Sequence, residues 1–408
     1  MDSHGADWNR CRVPYDMSKS KFGELPSSTA SANRYDRREW AGAFGDLGTL
    51  VPFVMAYVSV LKLDPFGVLF GFGVSMMCCG WFYRTPFPVQ PMKAAGAVAT
   101  SQAAQASLVT PGAVYGAGLA TSLIWLFLGA TGIAHRLARW VSQPVSRGVV
   151  LGLALAFMLQ GMKLMAEQWP LAAIGLFTVL ALAGSRRVPG IFALLILGVG
   201  WTALRQPELL LKLGGIQLQV QWPVWTWPTI SGPDLLVGTM LLALPQVPLT
   251  LGNAIIGVRA ENNRLFPDRP VTDREVALST GFLNLFGSAV GGVPMCHGAG
   301  GMAGHVAFGA RTGGSLVILG GLLLLLALFF SGSVLTLFEA IPRAVLGTIL
   351  FVTGMQLAKG QIGPRRGRRA LGVMLVTAVL AAWNAALGLG VGLILQHIVL
   401  RRDGLDAA

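Results

Sequence analysis

The sequence predicts an all-α polytopic membrane protein of fourteen transmembrane segments, built as a seven-plus-seven inverted repeat in which segments 3 and 10 are half-helices. Three observations carry that expectation. The 408 residues are 53% hydrophobic and 12% charged, with a mean hydropathy of +0.62, whereas a soluble domain carries about 25% charged residues. Apolar runs recur from Trp40 to Leu400 with only short polar breaks. Two stretches rich in Gly and Pro, Pro91-Met92-Lys93-Ala94-Ala95-Gly96 and Pro294-Met295-Cys296-His297-Gly298-Ala299-Gly300, echo each other at an offset of about 200 residues, the pattern expected of inverted repeats with interrupted helices.

Residues 1–39 hold no apolar core of a signal peptide and read as a polar cytoplasmic tail. The first repeat, 40–204, divides into spans at 41–61 and 65–82, a broken element at 86–104, and spans at 113–133, 144–165, 169–184 and 189–204. The stretch 205–232 carries Gln206, Lys212, Gln217, Gln219 and Gln221 with Trp222, Trp225 and Trp227, as expected of a periplasmic linker with an interfacial aromatic belt. The second repeat, 233–400, divides into 233–257 and 275–290, a broken element at 291–309, and spans at 313–332, 339–357, 369–384 and 387–400. A short cytoplasmic tail, 401–408, follows. Seven is odd, so the two repeats run in opposite orientation.

Several runs are shorter than the roughly 20 residues of a full crossing, which leaves a count of twelve open on length alone. The charges favour fourteen. With the N-terminus cytoplasmic, most of the 31 Lys and Arg fall on inside segments. Only Lys62, Lys163, Arg205, Lys212 and Arg343 fall outside, and Lys93 lies within the membrane. That bias requires both broken elements to count as crossings. The expected location is a bacterial plasma (inner) membrane with both termini in the cytoplasm.

The net charge of +13 forms no patch interleaved with aromatics, so no nucleic-acid partner is expected. The run Arg365-Arg366-Gly367-Arg368-Arg369 reads as an orientation and lipid-headgroup determinant. Cys11, Cys78, Cys79 and Cys296 offer neither a disulfide framework nor metal-ligand spacing, so free thiols are expected, with no metal and no cofactor. No nucleophile or catalytic dyad stands out, which argues against an enzyme.

The two broken elements carry the functional expectation. Three prolines in Thr85-Pro86-Phe87-Pro88-Val89-Gln90-Pro91 remove backbone donors and hold the chain extended across part of the membrane. Helix then starts at Pro91, near mid-membrane. Gly291-Gly292-Val293-Pro294-Met295, followed by helix over 296–309, does the same from the opposite direction. Each helix start presents unpaired N–H groups and about half a positive charge, and Lys93 adds a full one, for roughly +2 in all. Such a field suits a small dianion carried by a secondary transporter. An anion channel is the alternative of another class.

Candidate binding residues are Asp46, Thr49, Gln90, Pro91, Met92, Lys93, Ala94, Gln246, Cys296, His297, Gly298, Ala299 and Gly300. Lys93 sits too deep to snorkel easily to the interface. Gln90 and Gln246 can donate to an anion or bond between helices. His297 is either a donor, a titrating coupling group, or a structural bridge. Asp46 either carries a coupling proton, pairs with Lys93, or serves a helix start. Thr49 either lines the site or bonds back to its own helix. His305 and Asn284 read as packing and capping residues.

Four motifs carry a resemblance to a known family. They are Phe44-Gly45-Asp46-Leu47-Gly48-Thr49, Pro88-Val89-Gln90-Pro91-Met92-Lys93-Ala94, Ala243-Leu244-Pro245-Gln246-Val247-Pro248-Leu249-Thr250 and Pro294-Met295-Cys296-His297-Gly298-Ala299-Gly300-Gly301. Over roughly 40–400 the chain resembles the molybdate transporter family, relatives of the SulP sulfate permeases. The resemblance implies a core domain moving against a gate domain, with the oxyanion held between the two half-helices. It implies uptake of molybdate, or of tungstate, with sulfate as the alternative cargo, and suggests a homodimer in the lipid bilayer. No STAS domain is expected. Related nucleobase symporters place a carboxylate where this chain has Gln246, so coupling through that position is in doubt.

Overall fold

The computed structural model describes residues 32–59, 61–93, 96, 109–182, 190–215, 218–359, 361 and 367–400. Helix α1, Arg37–Ser59, starts where the Asp36 carboxylate accepts the N–H groups of Arg38 and Glu39. Helix α2, Pro65–Tyr83, opens on Asp64 as cap and on a proline that costs no helical donor. It ends at Arg84 in the left-handed region, φ 53. The chain is then extended to the two-residue strand β1, Gln90–Pro91.

Helices α3 (Pro111–Ala130), α4 (Ile133–Arg139), α5 (Gln143–Ala166), α6 (Trp169–Ala181), α7 (Gly190–Arg205) and α8 (Pro207–Gly214) follow. Helix α9 runs from Gly232 to Leu265 and widens into π-helical turns at Gly238–Ala243 and Leu251–Val258. Pro245 and Pro248 lie between those turns, where they withdraw two donors from the helical ladder. After α10 (Asp273–Ala289) come β2 (Met295–Cys296), α11 (Ala299–Ala307), α12 (Gly314–Phe330), α13 (Val334–Glu339), α14 (Arg343–Lys359), α15 (Arg368–Trp383) and α16 (Ala385–Leu395).

Among the described residues, α1, α2, α3, α5, α9 and the run Gly314–Glu339 are long and apolar enough to cross a bilayer. Shorter apolar helices stand at Trp169–Ala181, Gly190–Arg205 and Leu387–Val399. The chain is an integral membrane protein. Its helices pack into two bundles. In the first, α2 lies along α12 and α3 along α10, so that each helix before a broken segment packs on the helix after the other one. In the second, α5 lies along α14 and α15, α15 along α16, and α6 along α7. Helices α1 and α11 stand between the bundles, α11 touching α14, α5 and the start of α1.

The boundaries differ from the sequence expectation at several places. Pro91 is not the first helical residue but part of β1, and the second helix starts at Ala299, three residues after position 296. The reason is that Gln90 pairs with Cys296 and Pro91 with Met295 in an antiparallel ladder, which uses their backbone groups before either helix begins. That second helix ends at Ala307, short of 309, because Gly309 takes a φ of +116. The linker 205–232 is not all loop, since Leu209 to Leu211 between Glu208 and Lys212 form the amphipathic α8. Finally, α9 continues past 257 through the polar residues Arg259 to Leu265. The remainder of the expected half-helix, 97–104, and the tails 1–31 and 401–408 lie outside the described residues.

One buried carboxylate ties the start of α1 to the loop after α11. Glu39 is fully buried and accepts N–H bonds from Arg311 (2.9 Å), Thr312 (2.9 Å) and Ser315 (3.2 Å). Its charge therefore satisfies donors at the start of α12. Replacing Glu39 with Ala leaves those donors buried without a partner and should destabilise the fold by about 3 kcal/mol. A lowered melting temperature of the detergent-purified protein checks this. Arg34→Ala, at an exposed side chain 3.7 Å from the same carboxylate, should change it by less than about 1 kcal/mol.

Candidate functional site

The crossing of the two broken segments is where polar groups concentrate. Non-helical backbone inside a membrane protein must find partners within the protein. Here the ladder supplies part of them, with Met92 N–H donating to the Pro294 carbonyl at 2.9 Å. Asn284 on α10 supplies more. Its Nδ2 donates to the Met295 carbonyl (2.6 Å) and its Oδ1 accepts from the Met295 N–H (2.9 Å), so its carboxamide acts as a further short strand.

Around this ladder, Gln90 donates through Nε2 to both carboxylate oxygens of Asp46, at 2.6 and 2.8 Å. Gln90 and Asp46 are 1% and 2% exposed. Thr49 stands one helical turn on from Asp46, and the Lys93 ammonium is near enough for the two charges to attract. Because the Gln90 amide N–H groups face a carboxylate, its Oε1 points the other way, towards Gly298. A Cβ on Gly298 would come within 2.1 Å of that oxygen, and one on Gly301 within 2.8 Å of Gln90 Nε2 and 2.9 Å of Asp46 Oδ2. These glycines therefore let the start of α11 close on the Gln90–Asp46 pair.

Among the described residues, three buried polar atoms at this crossing have no hydrogen-bond partner: Gln90 Oε1, Lys93 Nζ and Asn253 Oδ1. Asn253 stands in the second π-helical turn of α9, and its Nδ2 lies 3.3 Å from where a Gly298 Cβ would be. The Lys93 ammonium sits over the ring of Phe157 from α5, 4.1 Å from its centroid. A cavity of about 840 Å³ adjoins this cluster, lined by Thr49, Lys93 and Phe157 and reaching Gln160, Lys163 and Trp383. It leads towards the Lys163 end of α5, opposite the end that carries Arg147.

Asp46, Thr49, Gln90 and Lys93 thus come together with Gly298, Ala299 and Gly300, and Pro91, Met92 and Cys296 form the ladder itself. Ala94 lies outside the described residues. Two expected residues have protein partners of their own. Both ring nitrogens of His297 are used, Nδ1 donating to the Pro88 carbonyl (2.8 Å) and Nε2 meeting Ser279 Oγ (2.7 Å). Gln246 donates to Thr250 Oγ1 (3.1 Å) within its own helix, and Asn253, further along the same helix, stands near Gly298. Asn253 and Phe157 were not foreseen. The only sequence signal for Asn253 is a lone amide in the apolar run Leu251-Gly252-Asn253-Ala254, and Phe157 carries none.

Comparison with known proteins bears on the whole chain. The sequence model of a family described as "Molybdate transporter of MFS superfamily" matches residues 38–157 and again 238–357. Molybdate transporter 2 of Arabidopsis thaliana is 30% identical over 426 aligned positions, covering 91% of this chain and 88% of that protein. Among solved structures, murine Solute Carrier 26 family member A9, an anion transporter in the inward-facing state, superposes with a TM-score of 0.63 at 15% identity, covering 98% of this chain and 77% of that one. The transmembrane domain of the cyanobacterial bicarbonate transporter BicA gives 0.56 at 14% identity, covering 88% and 98%. In a further SLC26A9 structure, with a TM-score of 0.54 at 13% identity over 89% of this chain, the chain spans 65% of its length. At these identities the structures speak to the fold alone.

The bidentate hold of Asn284 on Met295 generates a stability prediction. Asn284→Leu keeps the volume but strips both partners from a buried peptide unit, at a cost of about 3 kcal/mol. Chemical denaturation of the purified protein followed by circular dichroism should record that loss.

Proposed function

Because this chain belongs to the molybdate transporter family, whose members are transporters and not enzymes, we propose that it is a secondary transporter that takes up molybdate by alternating access. The anion binds at the crossing of the two broken segments, within reach of Lys93, Gln90 and the start of α11. The observation that carries this reading is the lysine ammonium buried there with no hydrogen-bond partner among the described residues. A buried cation without an anionic contact is costly. A dianion would satisfy it together with the open amides at the start of α11, where no side chain caps the helix.

Charge balance extends the proposal to coupling. Lys93 and two helix starts supply roughly +2, and an ionised Asp46 reduces this to about +1. A proton on Asp46 restores the match to a dianion and frees the Gln90 amide to donate to it. Uptake is therefore coupled to protons through Asp46. The bundle that holds α2, α3, α10 and α12 moves as the core against the gate formed by α5 to α7 and α14 to α16. The basic residues orient both termini to the cytoplasmic face of a bacterial inner membrane.

Lys93→Ala should weaken molybdate binding at least about 100-fold, equivalent to about 2.7 kcal/mol, with the helical circular dichroism unchanged. Calorimetric titration with molybdate, tungstate and sulfate reads this. Unchanged affinity in the variant removes Lys93 from the site, and a clear sulfate preference in the native protein reassigns the cargo. In proteoliposomes an inward proton gradient should speed molybdate uptake by the native chain and leave Asp46→Asn unaffected. Equal stimulation of both would exclude Asp46 as the coupling group.

A further inference from the structure

Beside the contacts that the main core makes between the two bundles, a small apolar seam joins them next to the candidate site. A small cluster separate from the main core joins Val150, Leu153, Ala154 and Phe157 of α5, Leu350 and Leu357 of α14, and Ala299 and Ala303 of α11. Most of these contacts are aliphatic and non-directional, so they can slide with little specific cost. Phe157 is the exception. It belongs to the second bundle, is 6% exposed, and reaches across the seam into the polar cluster. Its ring face meets the Lys93 ammonium at 4.1 Å. Its ring edge fills the space over the second residue of α11, where a Cβ on Gly300 would come within 2.2 Å of Cε2.

Resting on the site proposed above, we infer that Phe157 passes the occupancy of that site to the second bundle. With the site empty, the ring face holds the ammonium by a cation-π contact, beside the longer-range attraction of the Asp46 carboxylate. An arriving oxyanion competes for the same ammonium and for the same space beside α11. A full negative charge is the stronger partner, so the lysine turns to the anion and the ring loses both its cation and its seat. The seam then keeps only its aliphatic contacts, and the second bundle is freer to slide at this place. Phe157 is thus a positioning residue: it acts on the anion through Lys93, and it discourages movement of the bundles while no anion is bound.

The test separates ring electronics from packing. The full-length protein is prepared in three forms: native, Phe157→Leu, and with a ring-fluorinated phenylalanine at position 157, which keeps the shape and weakens the π face. Molybdate affinity is measured by calorimetry and turnover in proteoliposomes. Both altered proteins should bind molybdate about tenfold more tightly, equivalent to about 1.4 kcal/mol, because Lys93 is no longer shared. Movement of the empty carrier should rise about tenfold, read as net molybdate efflux into anion-free medium relative to molybdate exchange. An unchanged affinity in the fluorinated protein overturns the inference even if Phe157→Leu fails to fold, and leaves only a packing role for the ring. A native protein that binds no oxyanion removes the site itself and this inference with it.

Discussion

Everything in this structure is organised by the need to hold extended backbone inside a membrane protein without leaving its polar groups bare. Two chain segments that cannot be helical, because of Pro86, Pro88 and Pro91 on one side and Gly291, Gly292 and Pro294 on the other, meet and pair. Each alone would present unsatisfied N–H and C=O groups at a cost of several kcal/mol. Paired antiparallel, and with Asn284 acting as a third strand on Met295, they satisfy much of that need between them. The direction of the ladder also has a consequence for function. Antiparallel strands send the chains away in opposite directions, so Lys93 after β1 and the start of α11 after β2 lie on either side of one small volume.

Close packing then decides how near α11 can come. Its sequence, Ala299 to Ala307, is almost entirely small residues. A Cβ on Gly304 would lie 2.5 Å from the Gly45 carbonyl, and one on Gly45 would lie 2.3 Å from the Gly304 carbonyl, so two backbones touch where any larger residue would part them. The contact is secured by the His305 Nδ1–H donating to the Gly42 carbonyl at 2.7 Å and, one loop further on, by Glu39 gathering three N–H groups. Helix α1 thereby carries Asp46 and Thr49 to the start of α11. The same smallness faces the second bundle, where Phe157 occupies what the side chain of residue 300 would have filled.

Much of this was legible in the sequence because backbone chemistry announces itself. Prolines and glycines in matching places marked the broken segments, the depth of Lys93 within an apolar run marked its unusual cost, and apolar run length placed most helices to within a few residues. Asn284 and His305 read as capping and packing residues for the same reason, a lone polar group among apolar neighbours. The pairing of β1 with β2 was not legible. It is a contact between segments some 200 residues apart in sequence, and local signals such as proline at a first helical position point to helix there. Asn253 and Phe157 were hidden likewise, since only the fold brings α9 and α5 to the crossing. For His297 the sequence left donor, coupling group and structural bridge open, because its partners, the Pro88 carbonyl and Ser279, lie on other elements.

The amide of Gln90 shows how these constraints combine into a choice between two states. A carboxamide has donors at one end and an acceptor at the other, and its orientation follows whichever partner is more demanding. In the present arrangement the Asp46 carboxylate takes both Nε2 bonds, which turns the Oε1 acceptor towards Gly298 and the start of α11. An acceptor there repels a fully deprotonated oxyanion, so a site arranged in this way is poorly suited to hold one. On the proposed reading, neutralising Asp46 weakens its hold on the amide, and the same residue that closed the site can turn its donors towards the anion. The charge on Asp46 and the charge on the ligand then exclude one another, which is the physical requirement for transporting a proton and an anion together rather than either alone.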